Sequence, residues 1–347
     1  MMTIDTLFMN AVEKNASDIH FIVGKPPILR IDGRLSEMNG QEVMDRKIVE
    51  TLVMSMVSEK QKEIFLNDKE LDLSYEVKGK SRFRVNLHFE KNNMGLVARV
   101  IKNEIPTMQE LAMPEVVYEL INADSGLVLI TGPTGCGKST SLAAIIDQIN
   151  NDRSAHIVTL EDPIEFIFEP RKSIIKQRQL HTDMVNFHSA LVHVLRQDPN
   201  VIMVGEMRDL ETIATTITLA ETGHLVLATL HTHNAAQTID RIIDIFPPHQ
   251  QQQIRLQVSM TLKGIISQRL IPKVGGGRVS AREVLVNTPA VGNLIRENKI
   301  AQLKTVIQTS AEIGMFTMDQ NLIDLANKNV ITIDEAQFHM LNPELLD

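Results

Sequence analysis

The run Gly132-Pro-Thr-Gly-Cys-Gly-Lys138-Ser139-Thr140 carries the spacing Gly-x-x-x-x-Gly-Lys-Ser. Gly132, Gly135 and Gly137 leave no Cβ in the way of backbone N–H groups that turn inward around phosphate oxygens. An apolar run, Leu127–Ile130, precedes the loop and a helical pattern follows it, which is the context such a loop requires. The helix start near Lys138 adds its partial positive charge. Lys138 is expected to reach the β- and γ-phosphates, and the Ser139 hydroxyl to bind Mg²⁺. We therefore read Gly132, Pro133, Thr134, Gly135, Cys136, Gly137, Lys138, Ser139 and Thr140 as the binding loop for ATP.

A bound nucleotide needs acids beyond the loop. Val201-Ile-Met-Val204 is followed by Gly205-Glu206, so Glu206 ends a second apolar strand. It is one methylene longer than the usual Asp, which suggests contact with Mg²⁺ through water. Leu160-Glu161-Asp162-Pro163-Ile164-Glu165 places three carboxylates after another core strand, at the edge where such folds bind ligands. Spacing alone leaves Glu161, Asp162 and Glu165 equal as the group that orients the attacking water. His224 and His231 flank the run Leu225–Thr229 and should emerge at its opposite ends, one of them facing the γ-phosphate. His231 and His233, one residue apart on a loop, make a poor zinc pair. Arg84 and Arg99, far from the loop in sequence, read by themselves as surface arginines.

The elements that position these residues follow from periodicity. Ile4, Leu7, Phe8, Ala11 and Val12 predict a helix over 3–14, and a second is expected over about 46–66. Ile19–Val23 reads as a strand, and Asp32-Gly33 carries a tight-turn pattern between two more. Leu71, Leu73, Tyr75 and Val77 alternate, as do Phe83, Val85 and Leu87, and a further strand is expected over 95–101. This is a small α+β domain, residues 1–102, followed by a polar, proline-containing linker, 103–114. Residues 115–347 then change pattern. Runs at 127–130, 156–160, 201–204 and 225–229 read as strands covered on both faces. Helices at 139–150, 187–196 and 210–221 separate them, giving a doubly wound α/β core. Beyond His249 the spacing of Ile254, Val258, Leu262 and Ile265 predicts mostly helix, with Gly275–Gly277 turning a hairpin.

Composition narrows the function classes. A net charge of −8 argues against a dedicated nucleic-acid binder, which usually shows a basic face. One cysteine cannot build a disulfide or a thiolate zinc site and fits a reducing compartment. The N-terminus lacks a secretory pattern, and no run of about 18 apolar residues occurs. A soluble cytoplasmic protein is expected, touching a membrane only through a partner.

Taken in order, Ala16-Ser-Asp-Ile-His20, Pro26-Pro27 with Arg30 and Asp32-Gly33, Arg82-Phe-Arg-Val-Asn86, the Gly132–Thr140 loop, Glu161–Phe166, Val204–Ile213, Ala220–Val226, Ala228–Thr232, Ile266–Pro272 and Thr288–Glu297 closely resemble the PilT-type retraction ATPases of type IV pili, within the secretion ATPase superfamily. The resemblance implies a PAS-like N-terminal domain and a RecA-like ATPase domain in a homohexameric ring. ATP hydrolysis would turn one domain against the other and move an inner-membrane platform protein, driving pilus retraction and twitching motility, with an accessory retraction ATPase as a possible further partner. It implies recruitment to the inner membrane at the pilus base. By motif it makes Glu165 the general base, Glu206 the acid of the second strand, His224 and His231 the paired histidines, and Arg84 and Arg99 the arginines that reach the nucleotide. The absent tetracysteine module favours the retraction branch over the assembly ATPases. A PilU-like accessory protein or another secretion or pilus ATPase of the same superfamily is the near alternative, and a RecA-like nucleic-acid motor or a non-hydrolysing regulator the distant ones. At Gly292 the family pattern usually has arginine; glycine there weakens a helix by about 1 kcal/mol relative to alanine.

Overall fold

The computed structural model describes residues 3–31, 34–77, 79, 81–101 and 104–346. The Asp32-Gly33 turn lies outside the described residues, as do the last residue of the expected first domain and the first of the linker, Lys102 and Asn103. Two compact units are present: Met1–Glu104 with Pro163–Ile167, and Ile105–Asp162 with Phe168–Asp347.

The smaller unit is built on helix α1 (Ile4–Glu13), strands β1 (Asp18–Phe21), β2 (Ile28–Ile31) and β3 (Arg34–Glu37), helices α2 (Arg46–Met54) and α3 (Glu59–Asp68), and strands β4 (Glu70–Val77), β5 (Ser81–Glu90) and β6 (Asn93–Ile101). The strands form one antiparallel sheet in the order β3-β2-β1-β6-β5-β4. Alternation in β5 sends Phe83, Val85 and Leu87 into the core with Leu7, Phe8 and Phe21. The rings of Phe8 and Phe83 stand 4.2 Å apart. The single helix expected over 46–66 is two. Ser58 forms a capping box with Gln61, and this new start outweighs the continuing apolar periodicity.

In the larger unit, helix α4 (Glu115–Ile121) leads into β7 (Gly126–Thr131), α5 (Lys138–Asp152), β8 (His156–Glu161), β9 (Ile174–Gln179), α6 (Phe187–Val194), β10 (Val201–Val204), α7 (Leu210–Glu221) and β11 (Leu225–Leu230). Then come α8 (Ala235–Asp244), α9 (Pro248–Thr261), β12 (Leu262–Pro272), β13 (Arg278–Val286), α10 (Pro289–Arg296), α11 (Leu303–Thr309), α12 (Met318–Asn327) and α13 (Ile333–His339). The sheet order is β13-β12-β7-β11-β10-β8-β9, parallel except for β13. Strands β7, β8, β10 and β11 are buried throughout, as continuous apolar runs in a doubly covered sheet should be. Because they run parallel, their carboxyl ends share one edge, and the segments after all four emerge there. The expected α/β architecture is present.

One further reading needs correction, and one strand went unread. Leu262 and Ile265 continue the helical spacing of Ile254 and Val258, yet they belong to β12. Both are buried in either conformation, so the spacing could not separate helix from strand; pairing of β12 with β7 and β13 decides it. The polar strand β9, with only Gln179 buried, gave no apolar run to read.

Candidate nucleotide site

The loop between β7 and α5 is shaped by its glycines. Gly135 and Gly137 take φ of 78° and 88°, a left-handed region that glycine enters without cost. A Cβ on Gly132 would lie 2.3 Å from the Gln268 carbonyl oxygen and 2.7 Å from Cys136 Sγ, so only glycine fits. Helix α5 has Gly137 as its N-cap, which offers no side chain, leaving the first-turn N–H groups to an anion. Lys138 Nζ folds back over the loop and donates to the carbonyls of Gly132 (2.7 Å) and Pro133 (3.1 Å). Ser139 and Thr140 sit half-buried in the first turn. Cys136 is buried, and burial pushes its thiol up, so it is a packing group of the loop floor.

Glu206 follows β10 and His231 follows β11, neighbouring parallel strands. Their ends bring His231 Nε2 to 3.1 Å from Glu206 Oε1 and His231 Nδ1 to 3.4 Å from Lys138 Nζ. An Nε2–H tautomer satisfies both contacts, donating to the carboxylate and accepting from the ammonium. Thr134 Oγ1 stands 3.5 Å from the same Nδ1. On the other side Arg208 Nη2 lies 2.8 Å from Glu206 Oε2, and its Nη1 4.0 Å from Asp162 Oδ2. Burial raises the Glu206 carboxyl, but Arg208 and His231 together hold it below the usual glutamate range. The turn carrying it is tied to β11: Thr229 Oγ1 donates to the Gly205 carbonyl at 2.5 Å, and the Met207 N–H to the Thr229 carbonyl.

The three acids after β8 take different places. Glu161 is buried and accepts from Thr159 Oγ1 (2.6 Å) and Gln177 Nε2 (3.0 Å), so it knits β8 to β9. Asp162 faces Arg208. Glu165 is half-buried in the Pro163–Ile167 segment, which belongs to the compact unit of residues 1–104. Arg84 and Arg99 are register partners on β5 and β6 of that unit, both exposed. Arg99 Nε donates to Asp18 Oδ1 at 2.9 Å.

His224 is not with His231. It precedes β11 at the amino edge of the sheet, with Nδ1 3.0 Å from the Leu219 carbonyl and 3.3 Å from Thr222 Oγ1. The two histidines do emerge at opposite ends of the strand, and within one chain only His231 joins the loop. Among the described residues no cluster of His, Cys, Asp and Glu has the makings of a metal site of its own. The ionised Glu206 and the Ser139 hydroxyl are oxygen donors of the kind that suits a hard cation such as Mg²⁺. Sequence reasoning passed over Arg208; its place two residues after Glu206 was the one local signal, and its nearness to Asp162 comes from the fold.

The family model described as "Type II/IV secretion system protein" matches residues 1–277. The type IV pilus retraction ATPase PilT of Pseudomonas aeruginosa is 46% identical over 343 residues, 99% of each chain. The type IV pilus ATPase PilU of the same organism is 40% identical over 339 residues, 97% of this chain and 88% of that one. Among solved structures, the pilus retraction motor PilT with bound ADP superposes with a TM-score of 0.94 at 44% identity, covering 99% of each chain. A nucleotide-binding loop in the fold of an ADP-bound motor, with full-length likeness to it, is what these residues make: the chain belongs to the type II/IV secretion system protein family, among its PilT-type ATPases.

Proposed function

We propose that this ATPase is a hexameric motor that couples ATP hydrolysis to pilin disassembly and so to pilus retraction and twitching motility. The observation that carries the reading is the Lys138–His231–Glu206–Arg208 chain laid along the loop, in a protein alike from end to end to a retraction ATPase. In this reading Gly132–Thr140 binds the phosphates, and Lys138 leaves its carbonyl partners for the β- and γ-oxygens. Ser139 and Glu206 would hold Mg²⁺, the latter through water. The ion would neutralise charge between the phosphates. His231 reports the γ-phosphate to Glu206, since it touches both that acid and Lys138. Glu165 takes the proton of the attacking water, and Arg84 and Arg99 stabilise transferred charge. His224, placed at the far edge, serves the fold in its own chain.

Residues 1–102 act as a PAS-like domain, 103–114 as a linker and 115–347 as the RecA-like motor domain. The ring works in the cytoplasm and reaches the inner membrane through a platform protein, with an accessory retraction ATPase as a further partner. None of the described helices is long and apolar enough to cross a membrane.

Deleting the gene tests the role. Retraction motors lost in this way leave pili accumulated on the cell and abolish twitching; disappearance of pili would overturn the proposal in favour of an assembly role. Purified Glu165→Gln should bind ATP as the parent does yet lose turnover by at least about a hundredfold, the scale of a positioned acid–base group. Normal turnover would remove Glu165 from the base role.

A further inference from the structure

Within the segment Ile266–Pro272, Ser267 and Gln268 have no part in the chemistry above, yet they wall the phosphate loop. Strand β12 runs parallel to β7, with Ser267 beside Thr131, the last residue before the loop. Thr131 Oγ1 donates to Ser267 Oγ at 2.9 Å, and both side chains are fully buried. The next residue, Gln268, is 1% exposed. Its Nε2 donates to the Cys136 carbonyl inside the loop at 2.9 Å, and its Oε1 accepts from Ser141 Oγ, in the first turn of α5, at 2.9 Å. Its own backbone carbonyl fills the space a Cβ on Gly132 would take. One side chain therefore grips both the end of the loop and the start of the helix, while its backbone touches the loop's beginning.

This matters because the loop must point several N–H groups at one centre, and a free glycine-rich segment has many other conformations. A group that holds the Cys136 carbonyl outward orients the peptide joining Cys136 to Gly137, whose N–H lies opposite that carbonyl. We propose that Gln268 is a positioning residue for nucleotide binding: it keeps the phosphate loop in its binding form before any phosphate arrives. The inference rests on the reading of Gly132–Thr140 as the phosphate loop. Neighbouring β13 sets Gln268 in place from the other side, because Arg282 pairs with it in register and donates to the Leu111 and Ala112 carbonyls at 2.9 and 3.0 Å.

The test is ADP affinity of the full chain by calorimetric titration, with ATPase kinetics alongside. Gln268→Leu keeps the volume and removes both hydrogen bonds. It should weaken ADP binding roughly tenfold, raise KM for ATP in step, and leave kcat within about twofold, since binding shared by ground and transition states is what is lost. Ser141→Ala should weaken binding about two- to threefold alone. Added to Gln268→Leu it should contribute nothing more, because the bond is already gone. Ile266→Val, in the same strand, lowers stability without touching these bonds and should leave ADP affinity unchanged. A Gln268→Leu protein that loses thermal stability like Ile266→Val but binds ADP like the parent would overturn the proposal, as would fully additive losses with Ser141→Ala. Should Gln268→Leu fail to fold, parental ADP affinity in Ser141→Ala overturns it. Lys138→Ala separates the two levels: unchanged ADP affinity there would sink the loop reading itself, whereas weakened binding there with none in Gln268→Leu sinks only the role of Gln268.

Discussion

At the scale of single residues the site is a charge relay around Glu206. Its carboxylate lies between Arg208 and His231, and their combined pull exceeds the cost of burial, so it stays ionised to lower pH than an ordinary glutamate. Removing Arg208 should therefore raise the Glu206 carboxyl, and the acid limb of the ATPase pH profile should move upward in Arg208→Ala. A profile that keeps the parental acid limb would mean that Glu206 ionisation does not limit turnover. The effect on folding runs the same way. A depressed carboxylate stabilises the fold above its unfolded pKa, and that contribution fades as pH falls through the folded one. The Tm gap between parent and variant should thus close in acid. The stability difference behind that gap should be small, under about 1 kcal/mol, since Arg208 is 67% exposed. The form of the loop between β7 and α5 was legible in the sequence because its residues are contiguous and each has a local reason. Arg208 was not, because its two partners come from loops after β8 and β10 that only the parallel sheet brings together.

At the scale of elements, Gly292 shows how a sequence departure acquires a reason. By propensity it weakens α10 by about 1 kcal/mol relative to alanine. In the fold it is buried where α10 meets the end of α9, and a Cβ would stand 3.2 Å from the Ser259 carbonyl oxygen. That oxygen cannot retreat freely, because Asn287 Nδ2 holds it at 2.9 Å and holds the Leu262 carbonyl at 2.8 Å. Gly292→Ala should consequently fail to gain the helix-propensity increment and should lower Tm in thermal unfolding. A Tm increase of several degrees would show that the helix pair relaxes and that propensity rules. The same contest explains which elements the sequence revealed. Buried parallel strands announce themselves as apolar runs, and cap residues such as Asp209 mark α7 cleanly. The passage from α9 into β12 did not, because Leu262 and Ile265 are apolar for burial in either conformation. Only their partners in β7 and β13 choose between the two.

At the scale of the whole molecule the chain falls into two compact units, each with its own sheet, and the proposed ring raises the question of how its copies would complete each other. The arginines pose that question most sharply. Arg84 and Arg99 stand side by side on the exposed face of the smaller unit's sheet, where like charges opposite each other are unfavourable. Asp18 offsets Arg99, while Arg84 makes no ion pair among the described residues. An anion brought to that face would relieve the repulsion, and a phosphoryl group held by a neighbouring subunit's loop is such an anion. If Arg84 acts in this way within the proposed hexamer, Arg84→Ala protein alone should assemble like the parent but turn over ATP at least about a thousandfold more slowly, the lower bound for an arginine supplied in trans. Lys138→Ala rings should be inactive for a different reason, having lost the phosphate lysine. Mixing the two proteins at equal amounts then discriminates. A loop with its Lys138 intact in an Arg84→Ala subunit meets an intact Arg84 from a Lys138→Ala neighbour at about one interface in four under random assembly. Activity in the mixture well above either parent places the arginine across the interface. A mixture no faster than the mean of its components places Arg84 in the same chain as the loop it serves, or outside the reaction.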